Sequence, residues 1–267
     1  MCCNRRRHET IKDADDWKQF FGRHGQICLR HCICRRNRKS NRVQYVYRRM
    51  QLIYSLQKRV NNTAAYDFQT YENGEWKHNT EKTLGYGIKY ADWDYISLQQ
   101  SSGLSGIPSS YACLQNLMEY VKKTATNGNF KFVWNMTWAY QQNSTHGDFA
   151  KYGLNQTAMY NAIVNTVRSQ IIDKGFAFVI PNGTAIQNAR TSFIGDSLTR
   201  DGFHLSYDVG RFIAGLTLVR TLCGKILDSL SYAPNGISHS VVDICKESVE
   251  NAVWNAFEVT PSAFTEN

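Results

Sequence analysis

Asp201 and His204, inside the dozen residues GDSLTRDGFHLS (Gly195 to Ser206), carry the clearest chemical signal in the chain. An aspartate three positions before a histidine can accept from one imidazole nitrogen and fix the ring's tautomer. The second nitrogen is then the one that takes a proton from a hydroxyl nucleophile. Such a pair is also common in surface turns, so its context decides. Here it follows a strand–loop pattern and precedes a long apolar helix. Ser197 lies seven residues before the histidine and is the nearest serine upstream, which invites the role of nucleophile.

The elements that must position this pair read as alternating strands and helices from about residue 84. DYISL (94–98) is a short β-prone run ending in polar QQSSG, and residues 109–123 show helical spacing of Leu114, Leu117, Met118 and Val121. FKFVWNMTW (130–138) predicts a second strand opening into AYQQNSTHGDF. Residues 155–172 predict a helix with Met159, Ile163, Val167 and Ile171 on one face. FAFVIP (176–181) predicts a third strand, apolar as buried parallel strands are. Residues 181–192 read as loop and then a short helix, and helices are expected over 208–222 and 239–257. This alternation implies a parallel sheet covered on both faces, with the ligand at the carboxyl ends of the strands. Gln99, Gln100, Trp138, Gln141 and His146 fall at those ends and are candidate lining residues.

Composition divides the chain in two. Residues 1–60 hold 12 Arg and 4 Lys against 3 Asp and 1 Glu, a balance of +12, although the whole chain carries only +9. The remainder is therefore mildly acidic. Five of the eight cysteines (Cys2, Cys3, Cys28, Cys32, Cys34) also precede residue 61. Cys113, Cys223 and Cys245 sit in apolar contexts and are read as buried free thiols. The expected organisation is an anomalous segment 1–60 followed by one α/β domain, 61–267. No run of about 18 apolar residues predicts a membrane span. The start MCCNRRRHETIKDADDW lacks the apolar core of a secretory signal, so a cytoplasmic protein is expected. No cofactor or metal is expected.

RDGFHLSYDVGRFIAGLT resembles the last block of the SGNH (GDSL-like) hydrolases, with Asp201 and His204 in the positions of the triad's acid and base. DYISLQQSSGLSG, FVWNMTWAYQQNSTH and FVIPNGTAIQNARTSFIGD resemble a branch of that superfamily over roughly residues 61 to 226. The resemblance implies a three-layer α/β/α flavodoxin-like sandwich and serine-dependent hydrolysis of esters, often acyl groups on carbohydrates. It also implies an oxyanion hole with a side-chain amide from the block after the first of these strands. That block has no Gly-x-Asn-Asp here, and Gln100 is the residue nominated, with Gln99 beside it. The family's serine follows the first strand of the domain. Ser197 does not, so its match to GDSL is read as chance.

No first strand followed by a Gly-x-Ser turn can be found in residues 1–60, so that strand is expected to be missing or disrupted. The genetic code offers a reason. Residues 16–22, DWKQFFG, can be encoded so that reading one nucleotide later gives I-G-N-S-F-S, a nucleophile block of the resembled type. Residues 43–51, VQYVYRRMQ, give F-N-M-Y-I-G-G-C-S in the same phase, like the glycine block that supplies an oxyanion N–H. Residues 8–60 are accordingly read as out-of-frame translation. Two rival readings take the chain at face value. One makes the basic start a nucleic-acid-binding arm, but Cys28, His31, Cys32 and Cys34 are too compressed for an ordinary zinc finger. The other is a non-catalytic carbohydrate-binding remnant.

Overall fold

The computed structural model describes residues 33–34, 62–72, 75–224, 227 and 232–266. Apart from Ile33 and Cys34, segment 1–60 lies outside the described residues, and with it the out-of-frame reading and the cysteine-rich cluster.

Three strands run parallel, in the order β4 (Tyr95–Leu98), β5 (Lys131–Asn135) and β6 (Phe176–Ile180). On the other side of β4, the two residues of β1 (Ile33–Cys34) pair antiparallel, Ile33 opposite Ile96 and Cys34 opposite Tyr95. A separate antiparallel ribbon, β2 (Tyr66–Glu72) and β3 (Glu75–Lys82), precedes the sheet; the reading from sequence had not placed it. Phe68 of this ribbon sets its ring edge-on to Tyr86, 5.1 Å between centroids, which seats the ribbon on α1 (Leu84–Lys89).

Alternation along the strands sorts the core into two layers. Ile96, Leu98, Phe132, Trp134 and Val179 point to one face, where they pack with α2 (Leu114–Thr124) and α3 (Gln156–Gln170). Val133 and Ile180 point to the other, under α4 (Asn182–Ala189), α5 (Val209–Cys223) and α6 (His239–Trp254). The result is an α/β/α sandwich, as the alternating pattern requires. The predicted stripe Leu114, Leu117, Met118 and Val121 is buried, and so is Met159, Ile163, Val167 and Ile171. Asn155 caps α3 by accepting from Ala158 N at 2.8 Å. Among the described residues no helix is long and apolar enough to cross a membrane.

Three expectations need correction. Residues 108–111 form a 3₁₀ turn opened by Pro108, and the helix begins only at Leu114. The third strand is buried only at its carboxyl end: Ile180 is closed off, whereas Ala177 is exposed and Phe178 is 38% exposed. Among the described residues β6 has a strand partner on one side only, and the helical layer closes over Ile180 but not over Phe178. Cys113 and Cys245 are buried free thiols, but Cys223 is exposed because it ends α5, one residue before the left-handed Gly224. Burial pushes the Cys245 thiol far above its ordinary pKa, which makes it inert.

Candidate active site at the carboxyl ends of the strands

The Asp201–His204 pair is carried on a short hairpin. Thr199 and Leu205 bridge antiparallel, Arg200 N donates to His204 O at 2.9 Å, and Ser206 N donates to Leu198 O at 2.9 Å. The turn runs through Gly202, whose φ of +85° suits glycine and whose missing side chain leaves room for Ser144. A Cβ there would stand 3.0 Å from Ser144 Oγ. Asp201 then accepts three times. Oδ2 meets His204 Nδ1 at 2.7 Å, and Oδ1 takes the backbone N–H groups of His204 at 2.7 Å and Phe203 at 3.3 Å. The contact fixes Nδ1 as the nitrogen facing the carboxylate, so Nε2 is the nitrogen turned to proton transfer.

Burial by itself raises the Asp201 carboxyl, but the hydrogen bonds from the His204 ring and from the two backbone N–H groups outweigh it. The group lies below the usual carboxylate range. A carboxyl depressed on folding contributes stability that is present above its unfolded pKa, ~3.9, and is lost as pH falls through the lower folded value. Asp201→Asn should therefore cost stability at neutral pH and cost less once wild-type Asp201 is protonated. Urea unfolding of both proteins above and below the carboxylate range checks this; a pH-independent difference would contradict it. The group is 39% exposed, so the effect is small.

The loop after β5 holds the hairpin. Trp138 Nε1 donates to Phe203 O at 2.8 Å, Gln141 N donates to Gly202 O at 2.8 Å, and the Gln141 side chain accepts from Thr199 Oγ1. Trp138 and Gln141, read as possible pocket lining, are thus anchors of the hairpin that carries Asp201 and His204. His146 belongs to a row of rings: Tyr140 lies 4.9 Å from His146, His146 4.5 Å from Phe203, and Phe203 4.0 Å from His204. His146 Nδ1 accepts from Asp148 N at 3.1 Å, so the neutral ring carries its proton on Nε2.

Gln99 and Gln100 stand at the end of β4, both buried. The Gln100 amide is committed to its own loop: Nε2 donates to Ser110 O at 3.0 Å and Ser110 Oγ at 3.1 Å, and Oε1 accepts from Ser101 N at 2.9 Å. The nominated donor therefore serves as a turn tether. Gln99 instead accepts from Asn135 Nδ2 through Oε1, and Asn135 Oδ1 accepts from Asn182 Nδ2 at 2.5 Å.

Ser197 is exposed on the connection into the hairpin and not on a strand-to-helix turn. Its neighbour Asp196 has a structural task. Asp196 lies 2.8 Å from Arg190 Nε, accepts from Gln142 N at 2.7 Å, and accepts from Gln156 Nε2 at 2.9 Å. Arg190 also donates to Ala139 O at 3.0 Å, so the pair locks the loop that holds the hairpin. Burial lowers the Arg190 guanidinium to about 10 even with Asp196 beside it.

Reading the sequence missed Asn135, Asn182, Phe203 and the Arg190–Asp196 pair. A signal for the first two existed: FVWN and VIPN each end an apolar run in a side-chain amide. The other members are joined by contacts across long stretches of chain, which no local pattern announces. Among the described residues no group of three or more His, Cys, Asp or Glu is arranged to hold a metal.

The DUF4886 family, a domain of unknown function, matches residues 50–252. Among solved structures, a DUF4886 family protein from Bacteroides uniformis ATCC 8492 is 36% identical. The alignment covers 79% of this chain and 82% of that one, with a TM-score of 0.76. A candidate SGNH hydrolase from Slackia heliotrinireducens is 19% identical over 51% of this chain and 70% of that one, with a TM-score of 0.40. That likeness is too remote to bear on the site. No curated protein matches the chain.

Proposed function

The chain belongs to the DUF4886 family, and for this member we propose descent from an SGNH-type serine esterase. Its substrates would be acyl or acetyl esters of small molecules or carbohydrates. Its acid and base are in place, and its nucleophile block is displaced from the reading frame. The observation that carries the proposal is the 2.7 Å contact of Asp201 Oδ2 with His204 Nδ1, on a hairpin docked at the carboxyl ends of a parallel sheet. In this reading His204 Nε2 accepts the serine proton as the hydroxyl oxygen adds to the ester carbonyl, then returns it to the departing alcohol. Asp201 stays ionised and stabilises the imidazolium. The serine is the one encoded beneath Gln19 and Phe20 one nucleotide out of register, so the chain as written has no counterpart to it and is expected to be inactive.

Resequencing the locus and expressing both frames test the proposal. The re-framed protein is expected to hydrolyse acetyl esters about 10⁶-fold faster than the encoded chain, the scale on which loss of a nucleophilic serine acts. Equal turnover in the two frames, or codons for residues 16–21 that do not spell I-G-N-S-F-S one nucleotide later, would overturn it. Ester binding with no turnover in either frame would favour the binding remnant instead.

A further inference from the structure

Asp201 holds the His204 imidazole by one edge. The contact of Oδ2 with Nδ1 at 2.7 Å fixes that nitrogen, but one hydrogen bond leaves the ring able to rock about it. A second constraint comes from Phe203, whose ring centroid lies 4.0 Å from that of His204 with 40° between the planes. Phe203 is itself held at its N–H, its carbonyl and its ring. The N–H donates to Asp201 Oδ1 at 3.3 Å, and the carbonyl accepts from Trp138 Nε1 at 2.8 Å. The ring is backed by Tyr140 at 5.7 Å and by His146 at 4.5 Å, each close to edge-on.

That backing is anchored. Tyr140 is fully buried, with its hydroxyl 3.1 Å from Ser102 Oγ and its N–H directed at the Met159 sulfur. His146 caps the 3₁₀ turn Gly147–Tyr152, accepting at Nδ1 from Asp148 N at 3.1 Å. Only a neutral imidazole can accept there. Of the two imidazoles flanking Phe203, His204 is the one with a carboxylate on a ring nitrogen.

Resting on the esterase reading above, we propose that Phe203 is a positioning residue for His204, and that Tyr140 and His146 form the wall that holds it. The phenyl ring sets the plane of the imidazole and so aims Nε2. It also lies within the distance at which the negative face of an aromatic ring attracts a cation. The serine O–H bond breaks and its proton bonds to Nε2, so the imidazolium forms against that face. The same proton later passes to the departing alcohol. An attraction for a charge that develops only as the proton moves acts on the transition state more than on the resting protein.

The ionisable groups around this row are Asp201 and Arg200 on the hairpin, with Tyr207 and Arg211 beyond Arg200, and Tyr140, His146, Asp148 and Lys151 behind Phe203. All of them are kept in Phe203→Leu, which removes the ring face and retains apolar bulk. In the encoded chain, the imidazole titration of His204 is followed by NMR, its signals assigned by their absence in His204→Gln. Phe203→Leu is expected to lower the His204 midpoint by about half a pH unit, because the charged form loses its ring partner. Added solvent exposure alone would raise the midpoint, so the sign separates the two causes. Phe203→Tyr keeps the face and should restore the wild-type midpoint. His146→Asn keeps a cap acceptor for Asp148 N, removes the backing ring, and should shift the midpoint in the same direction as Phe203→Leu; it decides the matter if Phe203→Leu fails to unfold cooperatively. An unchanged or raised midpoint, or one that Phe203→Tyr does not restore, overturns the assignment. In the re-framed protein, Phe203→Leu should lower kcat by about 10–10²-fold, the scale for a misaimed catalytic group. The acidic limb of its kcat/KM profile should move to lower pH with the His204 midpoint. An unmoved limb in an active enzyme overturns the proposal. If the re-framed protein is inactive while the His204 midpoint responds as stated, the esterase reading falls and Phe203 stands as the residue that orients His204.

Discussion

In the re-framed protein, His204→Ala is expected to lower acetyl-ester turnover by about 10⁶-fold, and Asp201→Asn by about 10⁴-fold. The difference follows from the geometry. His204 is the only described side chain held by Asp201 in a single tautomer, and nothing replaces its proton transfer once the ring is gone. Asp201→Asn leaves the ring but can donate where the carboxylate accepted, which favours the wrong tautomer. It also weakens the turn, because Oδ1 takes the N–H groups of Phe203 and His204. Steady-state kinetics on the two variants check the prediction. Turnover in His204→Ala within tenfold of the re-framed parent would remove the acid–base assignment. The encoded chain should show no dependence on either residue.

The second large effect concerns stability and needs no activity. Arg190→Met should destabilise the encoded chain by about 3 kcal/mol, the scale for breaking one side of a buried ion pair. The Arg190 side chain is 4% exposed and Asp196 31%, so its removal strands a carboxylate with much of its solvation already gone. It also orphans Ala139 O, which accepts from Arg190 Nη2. A loss of this size lowers Tm by roughly 6–12 °C in a domain of this length. Thermal unfolding followed by circular dichroism measures it, and a fall of less than about 2 °C would mean that the pair is not structural. The double variant Arg190→Met, Asp196→Leu should recover part of the loss, since the cost lies mainly in the unpaired charge.

The fold was legible wherever period and apolarity spoke together. The stripes of α2 and α3 and the runs YISL and FKFVW have no good alternative to helix and strand, because only those periods bury their apolar sets. Phe176–Ile180 was misjudged in burial, since an apolar run states preference but not how many neighbours the fold supplies. The ribbon Tyr66–Lys82 escaped notice because its second strand, EWKHNTEK, is almost wholly polar and exposed. A strand without a buried face writes no alternation.

The site divides in the same way. Asp201 and His204 were legible because both members of the pair lie within one turn, so local spacing alone brings carboxylate to imidazole. The sequence by itself determined the chemistry of that pair, the α/β layering, and the compositional break near residue 60. Which glutamine amide ties its own loop and which reaches the neighbouring strand was decided by tertiary structure alone. Gln99 and Gln100 are chemically identical neighbours, and strand alternation turns them to opposite sides. One meets Ser110 and is tied down. The other accepts from Asn135, 36 residues away, and joins a buried row of side-chain amides. The partner of Asp196 was likewise decided by folding, which places it against Arg190. Orientation of a buried polar group depends on partners distant in sequence, and those exist only once the layers have closed.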